Sequence, residues 1–112
     1  MTPSPIVGLV ERTVFTGTHS SASVLVKCDT GARRTSLDSD VARTIGAGEG
    51  TKTVRVRSSN GVQTRAVHPF TVELRGRTHD VLASVTDRSA MRYDAILGRD
   101  VLSSYLVDAS RA

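Results

Sequence analysis

The segment SVLVKCDTGARRTSL, residues 23–37, decides the fold of this chain. Its valine-rich beginning predicts a β-strand over residues 22–28, which leads directly into Asp29-Thr30-Gly31-Ala32. Asp, Thr and Gly are all common turn residues, so a plain surface turn is one interpretation of the tripeptide. A second short apolar segment, Ile96-Leu97-Gly98, follows downstream. A plain surface turn needs no such partner, so the two segments together favour a functional loop.

Short valine-rich runs recur along the chain and are separated about every ten residues by Gly, Ser, Thr or Asn, which is typical of an all-β domain. We expect six or seven strands. Ser59-Asn60-Gly61 predicts a hairpin turn, and Pro69 indicates that part of the following strand lies at an edge. The predicted strands cover residues 6–15, 22–28, 54–57, 62–74, 79–86 and 95–97, before a final helical turn and strand.

One short helix is predicted after the Asp29 turn. Leu37, Val41 and Ile45 recur every four residues, Ser36 is a candidate N-cap with Asp38 in the first turn, and Gly46 follows the last apolar position. No internal repeat or linker interrupts the order of elements, so we expect a single domain over residues 1–112.

The length of 112 residues allows one domain with its own core, but it is too short for two lobes that enclose a cleft. Any large active-site cleft must therefore be shared between chains. No apolar run approaches the ~20 residues that span a bilayer, and residues 1–5 carry no export signal. The sequence therefore predicts a soluble, cytoplasmic protein without a membrane partner.

The charge balance allows an acidic partner. Fifteen Lys and Arg against eleven Asp and Glu give a net charge of +4, and most of the cations are arginines. Such a balance suits nucleic acid or an acidic substrate. The aromatic residues Phe15, Phe70, Tyr93 and Tyr105 form no stacking array among the basic residues, so the sequence gives nucleic-acid binding little support.

The sequence contains no residue pattern typical of a metal site or of a catalytic thiol. The lone Cys28 cannot form an internal disulfide, and His19, His68 and His79 are scattered without a His-Glu-x-x-His motif. We therefore predict no metal and no cofactor. Nothing in the local sequence indicates a serine or cysteine triad, and Cys28 is expected to be a small buried residue.

Taken in order, several segments make the chain similar to the retropepsin-like aspartic peptidases. The most similar group is the bacterial and archaeal family known as ATP-dependent zinc proteases, which is associated with ATP-grasp glutamate ligases. The resemblance implies an all-β, retropepsin-like acid-protease barrel with one or two short helices that forms a symmetric dimer. The matching segments are Val7–Glu11, Asp29–Arg33, Ser36-Leu37, Arg57–Gly61, Asp87–Met91, Ile96–Asp100 and Leu106–Asp108.

The resemblance also implies roles for individual residues. Asp29 is the implied catalytic carboxylate, and the Ser59-Asn60-Gly61 hairpin is the implied flap over the substrate. Arg33 stands where viral retropepsins carry an acidic residue, which implies a different substrate preference. The implied supporting residues are Thr30, which braces the paired loops across the dimer, Gly31, which lets the substrate backbone approach, and Ala32, Gly98 and Arg99.

The chemistry of such a site follows from its carboxylates. Two carboxylates a few ångströms apart cannot both ionise, so one serves as base toward a water molecule and the other as acid toward the scissile carbonyl. Because the chain has one Asp-Thr-Gly, the pair requires a homodimer with Asp29 from each subunit. The sequence thus predicts a peptidase acting on acidic or glutamyl-rich peptides, with a binding module that retains the fold as the alternative.

Overall fold

The computed structural model describes residues 4–47, 52–58 and 61–112 and confirms the all-β class with two short helices. Neither helix is long enough to cross a membrane, and no described residues form one that could. The helices are α1 (Ser39–Ile45) and α2 (Arg99–Leu102). The strands are β1 (Ile6–Val7), β2 (Val10–Thr16), β3 (Ser21–Cys28), β4 (Ser36–Asp38), β5 (Lys52–Ser58), β6 (Gly61–Leu74), β7 (Arg77–Thr86), β8 (Ala95–Leu97) and β9 (Leu106–Val107).

Seven strands form one sheet in the order β2-β3-β8-β4-β7-β6-β5. A further pairing of β2 with β6 closes this sheet into a barrel. Strand β8 lies between β3 and β4, parallel to the first and antiparallel to the second. The late segment Ala95–Leu97 is therefore surrounded by the two strands that flank the Asp29 turn.

Alternation along β3 shows how the sequence places the core. Val24, Val26 and Cys28 are buried, whereas Leu25 and Lys27 between them are exposed. A strand places successive side chains on opposite faces, so one face of β3 faces the barrel interior. Each fully buried valine or leucine contributes about 1.5–3 kcal/mol relative to an exposed one. The core is therefore anchored directly next to Asp29.

The predicted first strand over residues 6–15 is interrupted. Its first part, β1, pairs with β9 in a separate two-stranded parallel sheet, whereas β2 pairs with β3. Between them the Gly8 amide donates to Glu11 Oε2 at 2.8 Å, and Leu9 N donates to the Arg111 carbonyl. The apolar run therefore divides into two strands that join different sheets.

The predicted helix also begins later than its apolar spacing indicates. Leu37 belongs to β4, a three-residue strand buried between β7 and β8, rather than to the first turn of α1. Asp38 is the N-cap of α1, and its carboxylate accepts the Asp40 amide at 3.1 Å. Ser36, the candidate N-cap, instead lies in β4, where its hydroxyl pairs with that of Ser84.

Pro69 lies in the long strand β6, and the prediction that it marks an edge holds locally. Along one side of β6, β5 pairs as far as Val67 and β2 pairs from Thr71 onward. Pro69 stands in the gap between these partners, where a missing N–H breaks no ladder bond. The β5–β6 pairing reaches Ser58 and Gly61, and the predicted turn residues Ser59 and Asn60 lie outside the described residues.

Asp38 provides a test of how the loop before β8 is held. It is 6% exposed, and its two carboxylate oxygens accept the Asp40 and Arg88 amides. Asn in place of Asp38 offers one acceptor and turns an NH₂ toward the other amide. We expect Asp38→Asn to lower the free energy of unfolding by about 1–3 kcal/mol, measured by urea denaturation.

Asp40→Asn is the matched control for this test. It removes the same charge from an exposed ion pair with Arg43, in which both side chains are 77% exposed. Its cost should stay below about 0.5 kcal/mol. Equal losses for the two variants would contradict the assigned role of Asp38.

Candidate active site

A tight turn holds the Asp29 carboxylate at the end of β3. The Asp29 amide donates to the Leu97 carbonyl at 2.9 Å, which fixes the turn to β8. The Gly31 amide donates to Asp29 Oδ1 at 3.0 Å, and the Ala32 amide donates to the Asp29 carbonyl at 3.1 Å. The half-buried carboxylate is thereby oriented by the backbone of its own loop.

Gly31 is placed so that it leaves room around this carboxylate. A Cβ at this position would meet Asp29 Oδ1 at 3.2 Å and no other atom within 4 Å. Thr30, before it, is exposed, and Ala32, after it, is half-buried. The absence of a side chain at Gly31 therefore keeps the face of the loop next to the carboxylate open.

The start of α2 braces the loop from behind. Arg99 Nη1 donates to the Thr30 carbonyl at 2.9 Å, and the Arg99 amide donates to the Ala32 carbonyl, also at 2.9 Å. The Asp100 amide reaches the Arg33 carbonyl at 3.2 Å. Three successive bonds from α2 therefore support the loop that carries Asp29.

A second brace, between Thr35 and Asp100, was not expected from the sequence. The buried Thr35 donates its amide to Asp100 Oδ2 at 3.0 Å and its hydroxyl to Asp100 Oδ1 at 2.9 Å. Asp100 Oδ1 also accepts the Val101 amide at 3.0 Å. The Asp100 carboxylate thus fixes α2 to the segment that follows the Asp29 loop. No local pattern relates two residues that are 65 positions apart.

Gly98 is buried against the backbone of Arg34. A Cβ added there would lie 2.7 Å from both Arg34 N and Arg34 C, closer than side-chain atoms approach backbone atoms. Only glycine lets the end of β8 pass this close to the segment that leaves the Asp29 loop. Gly98 therefore sets the distance between the two segments that the sequence analysis paired.

An open cleft of about 960 Å³ lies over this arrangement. Seven of its fourteen described lining residues are arginines, and Asp29 is the one acidic residue among them. The cleft is therefore strongly cationic around a single carboxylate. Its lining consists of Asp29, Gly31, Ala32, Arg33, Arg34, Ser36, Arg55, Arg57, Val62, Arg65, Ser84, Arg88, Ile96 and Arg99.

The structure brings most of the predicted site residues to this cleft, but not all. Arg33 lines it and is exposed. Gly61 does not line it, although its neighbour Val62 does. The other two predicted flap residues, Ser59 and Asn60, lie outside the described residues. Thr30 contributes through its backbone, and Gly98 supports the cleft from within.

Other nucleophiles and metal ligands do not converge in the described part of the chain. Burial, with a smaller contribution from Glu11, raises the pKa of the Cys28 thiol to about 11, so the thiol is protonated at neutral pH. His79 Nε2 lies 2.6 Å from the Tyr105 hydroxyl, which donates to the Leu74 carbonyl. Among the described residues, no three His, Cys, Asp or Glu side chains cluster as metal ligands do.

The cleft therefore offers half of an acid–base pair. General acid–base hydrolysis of an amide by carboxylates requires one ionised and one protonated group. Asp29 supplies one carboxylate, and the described lining supplies no second. A complete pair would need a second copy of this loop.

Comparison with known proteins agrees with this geometry. The family model described as "gag-polyprotein putative aspartyl protease" matches residues 16–104. No curated protein matches the chain by sequence.

Three solved structures show the same fold. A Legionella pneumophila protein of unknown function is similar at a TM-score of 0.65 and 20% identity, covering 96% of this chain and 95% of that one. The EIAV protease bound to the inhibitor HBY-793 is similar at a TM-score of 0.63 and 20% identity, and the match covers 84% of each chain. The Simian Foamy Virus (mac) protease is similar at a TM-score of 0.58 and 15% identity, and the match covers 84% of this chain and 91% of that one. The predicted retropepsin-like fold is thereby confirmed.

The contact of Gly98 with Arg34 can be tested by adding a methyl group. We expect Gly98→Ala to lower the free energy of unfolding by about 1–3 kcal/mol in urea, because the new Cβ meets backbone atoms that cannot rotate away. Gly31→Ala is the control, since its Cβ would touch only the Asp29 side chain. A loss for Gly31→Ala as large as that for Gly98→Ala would contradict the close passage of β8.

Proposed function

The chain belongs to the gag-polyprotein aspartyl protease family, and from this membership we propose that it is an aspartic-type peptidase working as a homodimer with one Asp29 from each subunit. The observation that carries the proposal is the cleft itself. A backbone-oriented carboxylate lies in an open cleft whose described lining offers no second acid. A two-fold axis beside the loop would supply the missing group from an identical chain.

In such a dimer the two Asp29 carboxylates would share one proton, because two negative charges at short distance repel. The ionised member would take a proton from a water molecule that attacks the scissile carbonyl. The protonated member would donate a hydrogen bond to the carbonyl oxygen and later assist departure of the amine. The loop amide of Gly31 already points at Asp29 Oδ1, which helps to fix the orientation of the carboxylate.

The neighbouring residues would support this pair. The exposed Thr30 would brace the two loops against each other across the dimer, and Gly31 would admit the substrate backbone. Gly98 and Arg99 would hold each loop in place through the contacts with Arg34 and the Thr30 carbonyl. The β5–β6 hairpin, whose Arg55, Arg57 and Val62 line the cleft, would close over the substrate.

The proposed substrate is an acidic or glutamyl-rich peptide. Seven arginines among the described cleft residues create a positive potential that attracts carboxylates and opposes cationic peptides. The association with an ATP-grasp ligase, the finer relationship to the bacterial and archaeal family, the cytoplasmic location and the single-domain extent over residues 1–112 stay predictions. A binding module that holds the same peptide without hydrolysing it is the alternative.

The dimer and the carboxylate pair can be tested together by mixing subunits. Asp29→Asn should abolish hydrolysis of a fluorogenic glutamate-rich peptide while leaving the dimer at least as stable, since it relieves carboxylate repulsion. In freely exchanging mixtures, activity per total chain should fall as the square of the wild-type fraction, to about a quarter at equal amounts.

Light scattering on the same samples reports the assembly state. A linear fall in activity, or undiminished turnover by a monomer, would exclude the shared pair. Saturable binding of the peptide by both proteins without turnover by either would favour the binding module.

The substrate class can be tested with peptides matched in every residue except charge. Replacing glutamates by glutamines should lower kcat/KM, and the difference should shrink as salt rises, because salt screens exposed charges over about 10 Å at 0.1 M. Equal kcat/KM for the two peptides at low salt would contradict an acidic substrate. Steep loss of binding to single-stranded nucleic acid with salt would instead indicate a nucleic-acid partner.

A further inference from the structure

Strand register places one row of side chains across the floor of the cleft. Ser84 on β7 pairs with Val67 on β6 and with Ser36 on β4, and Ser36 pairs in turn with Ile96 on β8. Directly paired residues point to the same face of a sheet, and so do residues two apart on one strand. Arg65, two positions before Val67, therefore shares the face of Ser84, Ser36 and Ile96. These four residues all line the cleft.

The centre of this row is polar and buried. Ser36 is 4% exposed and Ser84 is 2% exposed, and their hydroxyl oxygens lie 2.5 Å apart in a shared hydrogen bond. That bond uses one of the two O–H groups, so the other can turn toward a ligand. Leu37 and Ala83, next to them on the opposite face, belong to the apolar core. The hydroxyl pair is thus a polar floor between the apolar core and the arginine-lined cleft.

Arg88 reaches this floor from the loop after β7. Its Nε donates to the Tyr93 carbonyl at 3.0 Å, and its amide donates to Asp38 Oδ1 at 2.8 Å, so both its backbone and its side chain are held. Arg88 is half-buried and lines the same cleft as Arg65. It forms no ion pair with a carboxylate of the described residues.

The guanidinium groups of Arg65 and Arg88 repel each other. Burial, followed by repulsion from Arg65, lowers the pKa of Arg88, and attraction from Asp38 and Asp94 offsets this only in part. A half-buried cation near a like charge is costly unless an anion is placed between them. A bound carboxylate would relieve this repulsion and receive hydrogen bonds from a planar guanidinium. The exposed Arg55 and Arg57 lack such a setting.

We propose that Arg65, Arg88 and the Ser36–Ser84 hydroxyl pair form a carboxylate-binding pocket that selects one acidic side chain of the bound peptide. This pocket rests on the peptide-cleaving function proposed above, and it specifies which groups bind an acidic side chain of the substrate. The pocket fixes the position of one glutamate or aspartate, whereas the exposed arginines attract negative charge without regard to position. Selectivity and general attraction therefore reside in different residues.

The test uses Asp29→Asn protein, so that binding is measured without turnover. Fluorescein-labelled alanine-rich octapeptides carry a single Glu at each position in turn, and each has a Gln counterpart. We expect one position at which anisotropy gives about 10-fold or more tighter binding for Glu than for Gln. Arg88→Met should reduce that ratio to about one. Arg57→Met, the control at an exposed arginine, should weaken the Glu peptides by a similar small factor at every position and leave the strong Glu preference at the selected position.

Arg88→Lys separates recognition from structure. Lysine keeps the positive charge but cannot reproduce the bond from Nε to the Tyr93 carbonyl. A retained preference for Glu therefore shows that the positive charge at position 88 recognises the Glu carboxylate. Thermal unfolding confirms that each variant is folded. No Glu preference at any position, no measurable Glu-peptide binding up to millimolar concentration, or a preference that survives Arg88→Met would overturn the pocket. Intact Glu selection in a chain that never hydrolyses peptides would remove only the peptidase proposal.

Discussion

The insertion of β8 between β3 and β4 is the constraint on which the rest of the structure depends. Three residues, Ala95–Leu97, pair on both sides with strands that flank the Asp29 loop. Leu97 then accepts the Asp29 amide, and Gly98 passes within contact of the Arg34 backbone. Without that strand, the loop would lose its partner for Asp29 and its brace from α2 together. Packing of a remote segment therefore determines where the Asp29 carboxylate stands.

Two kinds of interaction have separate tasks around the cleft. The backbone hydrogen bonds from Asp29 to Leu97 and from Arg99 to Ala32 position the loop, and they depend little on pH or salt because both partners are neutral amides and carbonyls. Charge is concentrated instead in the arginines that line the opening. Most of these side chains are exposed or half-exposed, so their effect on a ligand is adjustable by ionic strength. The site is thus rigid where Asp29 is held and electrostatically responsive where a peptide enters.

The sequence predicted the parts of the site that occupy continuous segments. The run over residues 22–28 and the apolar Ile96-Leu97 both became strands, because burial on the barrel interior leaves a visible local pattern. The sequence did not reveal β4, because a three-residue buried strand has no room for alternation and Leu37 happened to continue a helical spacing. The first strand was predicted too long because an apolar run does not show that its halves join different sheets.

Long-range contacts were beyond local patterns. The bonds of Thr35 to Asp100, and the register that places Arg65 on the same face as Ser84, arise only after the barrel closes. The local sequence assigned no specific role to Asp100 or Arg88. The surroundings of Asp100 and Arg88 are formed by residues that are close in space but far away in sequence. Site residues that depend on topology therefore require the structure, whereas those within the Asp29 loop do not.

The small sheet formed by β1 and β9 has a consequence for the order of folding. It pairs Ile6 with Leu106 and Val7 with Val107, so two residue pairs must close a loop of about a hundred residues. Loop-closure entropy for that length costs about 4 kcal/mol when the intervening chain is free. Once the barrel has formed, most of that entropy has already been lost and the pairing becomes easy. The pairing of β1 with β9 should therefore form last during folding and open first in hydrogen-exchange experiments. Protection of its amides from exchange would then indicate that the barrel is completely formed.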